Sequence, residues 1–149
     1  MVGVDNFKDF GSEFTAEQQA AVAGFMIQIK KDFPGTSVAY AEGSLLHPTT
    51  DSTARKRILQ SFAGADPAVA IPVLESLMAV GSREKVLAPQ MKQRLFLINS
   101  DASPTDEKAL QSFFKAGVTV VPVPATGHYP MIEKPEEFNR ALEKVLAGL

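Results

Sequence analysis

A chain of 149 residues, 45% hydrophobic and 21% charged, has enough apolar material for one globular core and no second domain. Its net charge of −2 leaves no electrostatic footprint for nucleic acid or an anionic membrane surface. The absence of cysteine excludes disulfides, thiolate nucleophiles and cysteine-ligated metal, and two distant histidines, His47 and His128, give no zinc-ligand cluster.

Residues 1 to 5 form a short apolar run ending in an acid. The opening MVGVDNFKDF lacks a basic region followed by a long apolar run, so no signal peptide is expected. No stretch approaches 18 apolar residues, and a cytoplasmic protein is predicted. In FTAEQQAAVAGFMIQIKKDF, Thr15 and Gln18 have the spacing of a capping box. Val22, Phe25, Met26, Ile29 and Phe33 fall on one helical face. Pro34-Gly35 is expected to close that helix, and residues 36 to 51 carry no firm signal.

A polar helix is predicted over Ser52 to Phe62. Asp66-Pro67 then supplies a cap and a first-turn proline for a helix whose Ala70, Val73, Leu74, Leu77 and Met78 share a face, with Gly81 past its end. Residues 83 to 88 are expected to add a further helical turn.

The pattern changes at RLFLIN (94 to 99), a continuous apolar run of the length of a strand buried on both faces. PTDEKALQSFFKAG (104 to 117) reads as a helix ended by glycine, and VTVVPV (118 to 123) as a second strand with Pro122 near its end. Pro135 opens a terminal helix with Phe138, Leu142, Val145 and Leu146 along one face. Strand, helix, strand, helix implies parallel pairing through a right-handed crossover, so the last third is α/β.

Loops leaving the carboxyl ends of parallel strands share one edge, where ligands bind. Asp101 and His128 lie in two such loops, one strand-helix-strand unit apart. An acid beside a histidine fixes its tautomer and stabilises the imidazolium, the supporting part of a nucleophile-base-acid arrangement. Each residue also has a plainer role open to it. His128 could cap the helix that follows or sit in solvent, and Ser100, Asp101 and Ser103 are all common N-caps. Glu133, Glu136 and Glu137 stand where a helix dipole favours acids, and His47 before a proline suits a turn. Ser44 follows a glycine but lacks the second glycine of a nucleophile elbow and is not expected to be a nucleophile. No glycine-rich phosphate loop occurs, which removes a small nucleotide-binding domain from consideration.

ATGHYPMIEKPEEFNRAL resembles the carboxyl-terminal segment of the α/β-hydrolase superfamily: a Gly-His pair after the last strand, then proline, Glu-x-Pro and a phenylalanine. Those positions here are Gly127, His128, Pro130, Glu133, Pro135 and Phe138. RLFLINSDASPTDEKAL is similar to the preceding strand and acid loop of one branch, MVGVDNFKDF to the sixth strand and its exit, and residues 15 to about 90 to the helical cap. The resemblance implies a partial α/β-hydrolase fold: about three parallel strands at one sheet edge, with a helical cap inserted.

On that reading the single domain 1–149 divides into a strand and exit loop (1–10), a cap-like insert (11–92) and a strand-helix-strand-helix unit (93–149). It implies a serine-type hydrolase of small ester-like carbonyl substrates, with His128 as base and Asp101 as orienting acid, and with no cofactor or metal. In some members the acid follows the sixth strand, which makes Asp5 the second candidate.

The nucleophile elbow and oxyanion loop belong to the family's amino-terminal half, which these residues do not include. The isolated chain is therefore expected not to turn over esters. Its exposed sheet edge predicts self-association or a partner chain supplying that half. The alternative is a non-catalytic module for small-molecule binding or dimerisation that uses the cap as an apolar pocket.

Overall fold

The structure, a computed structural model, describes residues 1–148. Three strands, β1 (Val2–Val4), β2 (Leu95–Ser100) and β3 (Val118–Val123), form one parallel sheet in the order β1-β2-β3. Val4 lies opposite Ile98 and Ser100 opposite Val123, so the loops after β1, β2 and β3 leave from one rim. The class is α/β, as the strand-helix alternation predicts.

β2 explains the centre of the molecule. Successive strand side chains point to opposite faces, and in β2 both faces are apolar. Leu95 and Leu97 enter a cluster with Phe10, Ala88, Leu110 and Phe114, whereas Phe96 and Ile98 pack with Val123, Ala141 and Val145. On the first face the rings of Phe7, Phe10, Phe113 and Phe114 meet edge-on or tilted at centroid separations of 5.2 to 5.9 Å, which fastens the loop after β1 to helix α5 (Glu107–Phe113).

The second face is covered by the terminal helix, α7 (Pro135–Ala147). Its Phe138, Leu142 and Val145 pack there as their spacing predicts, but Leu146 is 55% exposed and Ala141 is buried instead. A small residue suffices where the helix comes close to the sheet. Pro122 is tolerated because β3 is an edge strand.

Between β1 and β2 lie α1 (Ala16–Lys31), α2 (Phe33–Tyr40), a π-helical turn (Ala41–Leu45), α3 (Ser52–Ala63), α4 (Pro67–Leu87) and a 3₁₀ turn (Ala88–Gln90). The Thr15–Gln18 capping box forms as expected. Pro34-Gly35 does not close a helix. Asp32 ends α1 and caps α2, its carboxylate accepting from Gly35 N, and Pro34 occupies the first turn, where a missing N–H is harmless. The unassigned stretch 36 to 51 is thus the rest of α2, the π-helical turn and a non-helical link that ends at Asp51, the cap of α3.

α4 also departs from expectation, running through the Gly81 position to Leu87. A helix-interior glycine disfavours the helix by about 1 kcal/mol, less than the propagation of several following residues restores. α5 is shorter than 104 to 117, because Asp106 caps it and Thr105 is held outside by Asn99. No helix among the described residues is long and apolar enough to cross a membrane.

Candidate active site

Asp5 continues β1, its amide donating to Ile98 O, and then turns sharply with φ of 46°. Phe7 (φ 55°) and Ala125 (φ 54°) share this left-handed conformation. All three follow strands at the carboxyl rim. Non-glycine residues held there cost of order 1–3 kcal/mol each and persist only where surrounding contacts over-determine them.

Those contacts are visible around Asp5. Its side chain is 4% exposed. Oδ1 accepts from Ser100 N at 2.8 Å and pairs with Lys8 Nζ at 2.8 Å, while Oδ2 meets His128 Nδ1 at 2.8 Å. Burial alone would push the Asp5 carboxyl up. The bonds from His128, Lys8 and Ser100 outweigh it and hold the group well below the usual carboxylate range. An ionised carboxylate only accepts, so His128 Nδ1 carries the hydrogen, and in the neutral ring Nε2 keeps the lone pair. The ring is half-exposed and lies edge-on to Tyr129, with centroids 5.2 Å apart. Burial, then the nearby Tyr40, raises the Tyr129 hydroxyl above its ordinary pKa.

The exit of β1 is fixed by Asn99, 1% exposed at the end of β2. Its Oδ1 accepts from Asn6 N, and its Nδ2 donates to Asn6 O and Thr105 Oγ1. Lys8 is tied in turn to Ser100 Oγ at 2.6 Å.

Asp101 and His128 therefore do leave from the same rim, but their side chains do not bond to one another. Asp101 Oδ1 accepts from the backbone amide of Ala125, three residues before His128, at 2.7 Å, while Asp5 reaches the imidazole. The aspartate at the end of β2 thus supports the left-handed residue after β3. His47 makes a local turn, its Nδ1 facing Thr49. Lys8 and Asn99 were not singled out by the sequence. A lysine three residues beyond a strand-end aspartate was the available signal for the first. Asn99 offered none apart from its position at the end of an apolar run.

Residues of α1 to α4 line an open apolar pocket of about 300 Å³, among them Phe25, Phe33, Tyr40, Phe62 and Leu74. Phe62 meets Tyr129 edge-on at 6.4 Å, which links the pocket wall to the residue after His128. Among the described residues no three His, Asp or Glu side chains are grouped to hold a metal ion.

Fold and site together define an α/β chain with a buried aspartate and an imidazole paired at the carboxyl rim of a parallel sheet. No protein-family model and no curated protein sequence matches this chain. Among solved structures it is similar to a thermophilic esterase from Thermogutta terrifontis, determined with malate bound, at a TM-score of 0.74 and 18% identity. The match covers 99% of this chain and 55% of that one, so the chain spans about half the length of the esterase. At that identity the likeness shows a shared fold: the chain has the architecture of part of that structure.

Proposed function

We propose that the chain is the base-bearing, carboxyl-terminal segment of a serine-type α/β-hydrolase acting on small ester-like carbonyl substrates, with His128 as general base. One observation carries this reading: the 2.8 Å contact between Asp5 and His128 Nδ1, which leaves Nε2 as the basic nitrogen. It also supports Asp5 as the orienting acid. Asp5 takes that role ahead of Asp101, which positions Ala125. Residues 11–92 act as the cap of a single domain, and their apolar pocket receives the acyl or alcohol portion of the substrate.

The chain has no Gly-x-Ser-x-Gly sequence, so the nucleophile comes from outside these residues. The outer edge of β1, which pairs with no other strand among the described residues, is where a strand of that missing half joins. The setting is cytoplasmic, without nucleic-acid or membrane partners, cofactor or metal.

A second reading, a non-catalytic binding or dimerisation module, draws support from the apolar pocket. It gives no reason for a buried, ionised aspartate to hold an exposed imidazole. One measurement tests the need for an outside nucleophile, and a second separates the readings. Purified chain and its His128→Ala variant are expected to hydrolyse an activated short-chain ester at the same background rate; histidine-dependent turnover would refute the need for an outside nucleophile. The coding DNA upstream of Met1, or a neighbouring frame, is expected to encode a strand followed by Gly-x-Ser-x-Gly. An upstream frame that closes at once, with no such neighbour, would favour the binding module.

A further inference from the structure

We infer that Glu133 is the positioning residue of His128, joining the helical region to the histidine loop. Three consecutive backbone amides surround the imidazole's attachment point, and all three are engaged. Gly127 N donates to Glu133 Oε1 at 2.9 Å, and Tyr129 N donates to the same oxygen at 3.3 Å. His128 N, between them, donates to Leu45 O at 2.7 Å. The other carboxylate oxygen, Oε2, accepts from the hydroxyl of Thr50. One side chain thus ties both flanks of the histidine to the segment between α2 and α3.

The close approach depends on glycine. A Cβ at Gly127 would stand 2.2 Å from Leu45 O and 2.8 Å from His47 N, so no other residue allows the segment at 45 to 47 to lie this near. Lys134, next to Glu133, donates to Pro124 O at 2.9 Å and steadies the loop from its other end. Glu133 is the last residue of the short helix α6 (Pro130–Glu133) and still lies within its first turn. Its charge is used on the loop amides. An ionised acceptor makes stronger hydrogen bonds than a neutral one, which suits a group that must fix a loop carrying a half-exposed ring.

The inference rests on the proposed hydrolase reading only in what the imidazole is for, so its test uses the ring itself. In nitrogen-15 spectra of the full chain, wild-type His128 is expected as one tautomer, with a slowly exchanging, low-field Nδ1 proton bonded to Asp5. Glu133→Ala is expected to keep the wild-type circular dichroism. Its ring should sample both tautomers and exchange that proton about tenfold faster, the scale expected when the bonds from both loop amides are lost together. Glu133→Gln, which retains an acceptor for the amides, should stay within about twofold. Glu136→Ala, the same charge change three residues away, should leave the ring unmoved.

A folded Glu133→Ala chain with the wild-type ring signature would overturn the assignment, as would an equal response to Glu136→Ala. If Glu133→Ala does not fold, Thr50→Val takes its place: exchange faster by about threefold is expected from losing the single bond to Oε2, and no change would overturn the proposal. A wild-type ring lacking the bonded Nδ1 proton would refute the Asp5 role as well, which distinguishes the two failures.

Discussion

The sheet region and the helical region of this molecule are built on different terms. In the sheet, β2 is buried along its whole length, and the polar groups at its end are matched with partners from the loops after β1 and β2. In the helical region Ile29, Phe33, Ala54 and Ile58 are buried, yet Val69, Val73 and Leu77, which share a face of α4, are 63%, 60% and 60% exposed. A buried core lies beside helices that leave an apolar face exposed. The first region fixes geometry, and the second presents surface.

Substitutions that test this contrast differ widely in expected size. Leu97→Ala, at a fully buried position of the sheet, is expected to destabilise by about 3 kcal/mol in urea unfolding, the usual scale for a core leucine. A loss below about 1 kcal/mol would show that the sheet region is not the buried core described. Gly127→Ala forces a methyl group against Leu45 O at the junction of the regions, and a loss of about 2 kcal/mol is expected from overpacking. Because the strain falls on the junction, amide exchange should quicken in residues 41 to 50 more than in β2. Uniform quickening would mean that the two regions unfold as one.

Asp5→Asn sharpens the comparison through pH. Folding lowers the Asp5 pKa, so between its folded value and the ordinary value of 3.8 the unfolded chain binds more protons than the folded one. The carboxylate's contribution is complete above 3.8 and is lost as pH falls from there through the lower folded value. At pH 7 the variant should be less stable by about 2 kcal/mol, the scale of hydrogen bonds to a charged group. Its stability should also fall less steeply than that of the wild type below pH 3.8. Parallel curves would place the acid sensitivity elsewhere.

The smallest stability effect is expected on α4. Leu77→Lys should change the unfolding free energy by no more than about 0.5 kcal/mol, since the side chain is exposed. It should nevertheless reduce any concentration-dependent association seen by light scattering. A large stability loss without a change in association would reverse the roles assigned to the two regions.

Much of this was legible in the residues themselves. Apolar runs of strand length gave β2 and β3, and Thr15, Asp66 and Pro135 marked helix starts, because caps and periodicity are local properties. Asp32 shows where local reading fails. Proline followed by glycine commonly ends a helix, but here an aspartate two residues earlier serves two helices at once. The shared rim of Asp101 and His128 was legible, but not which aspartate contacts the imidazole. Asp5 and Asp101 both end strands. Which one reaches across depends on a left-handed turn at Asp5 and on the Lys8, Ser100 and Asn99 bonds that hold it, none of which has a periodic signature. Glu133 was hidden for a similar reason: its partners lie 6, 4 and 83 residues away, and only folding sums them.

Asn99 and Ser100 form a dipeptide prone to chemical ageing, in which the serine nitrogen attacks the asparagine amide and a cyclic imide opens to aspartate. Here that nitrogen donates to Asp5 Oδ1 at 2.8 Å, and the asparagine amide is held at both its oxygen and its nitrogen. The network that shapes the rim thus also shields it from slow deamidation. Were the shield to fail, the new carboxylate would face the Asn6 and Thr105 oxygens that Nδ2 now serves, and the loop after β1 would lose its anchor.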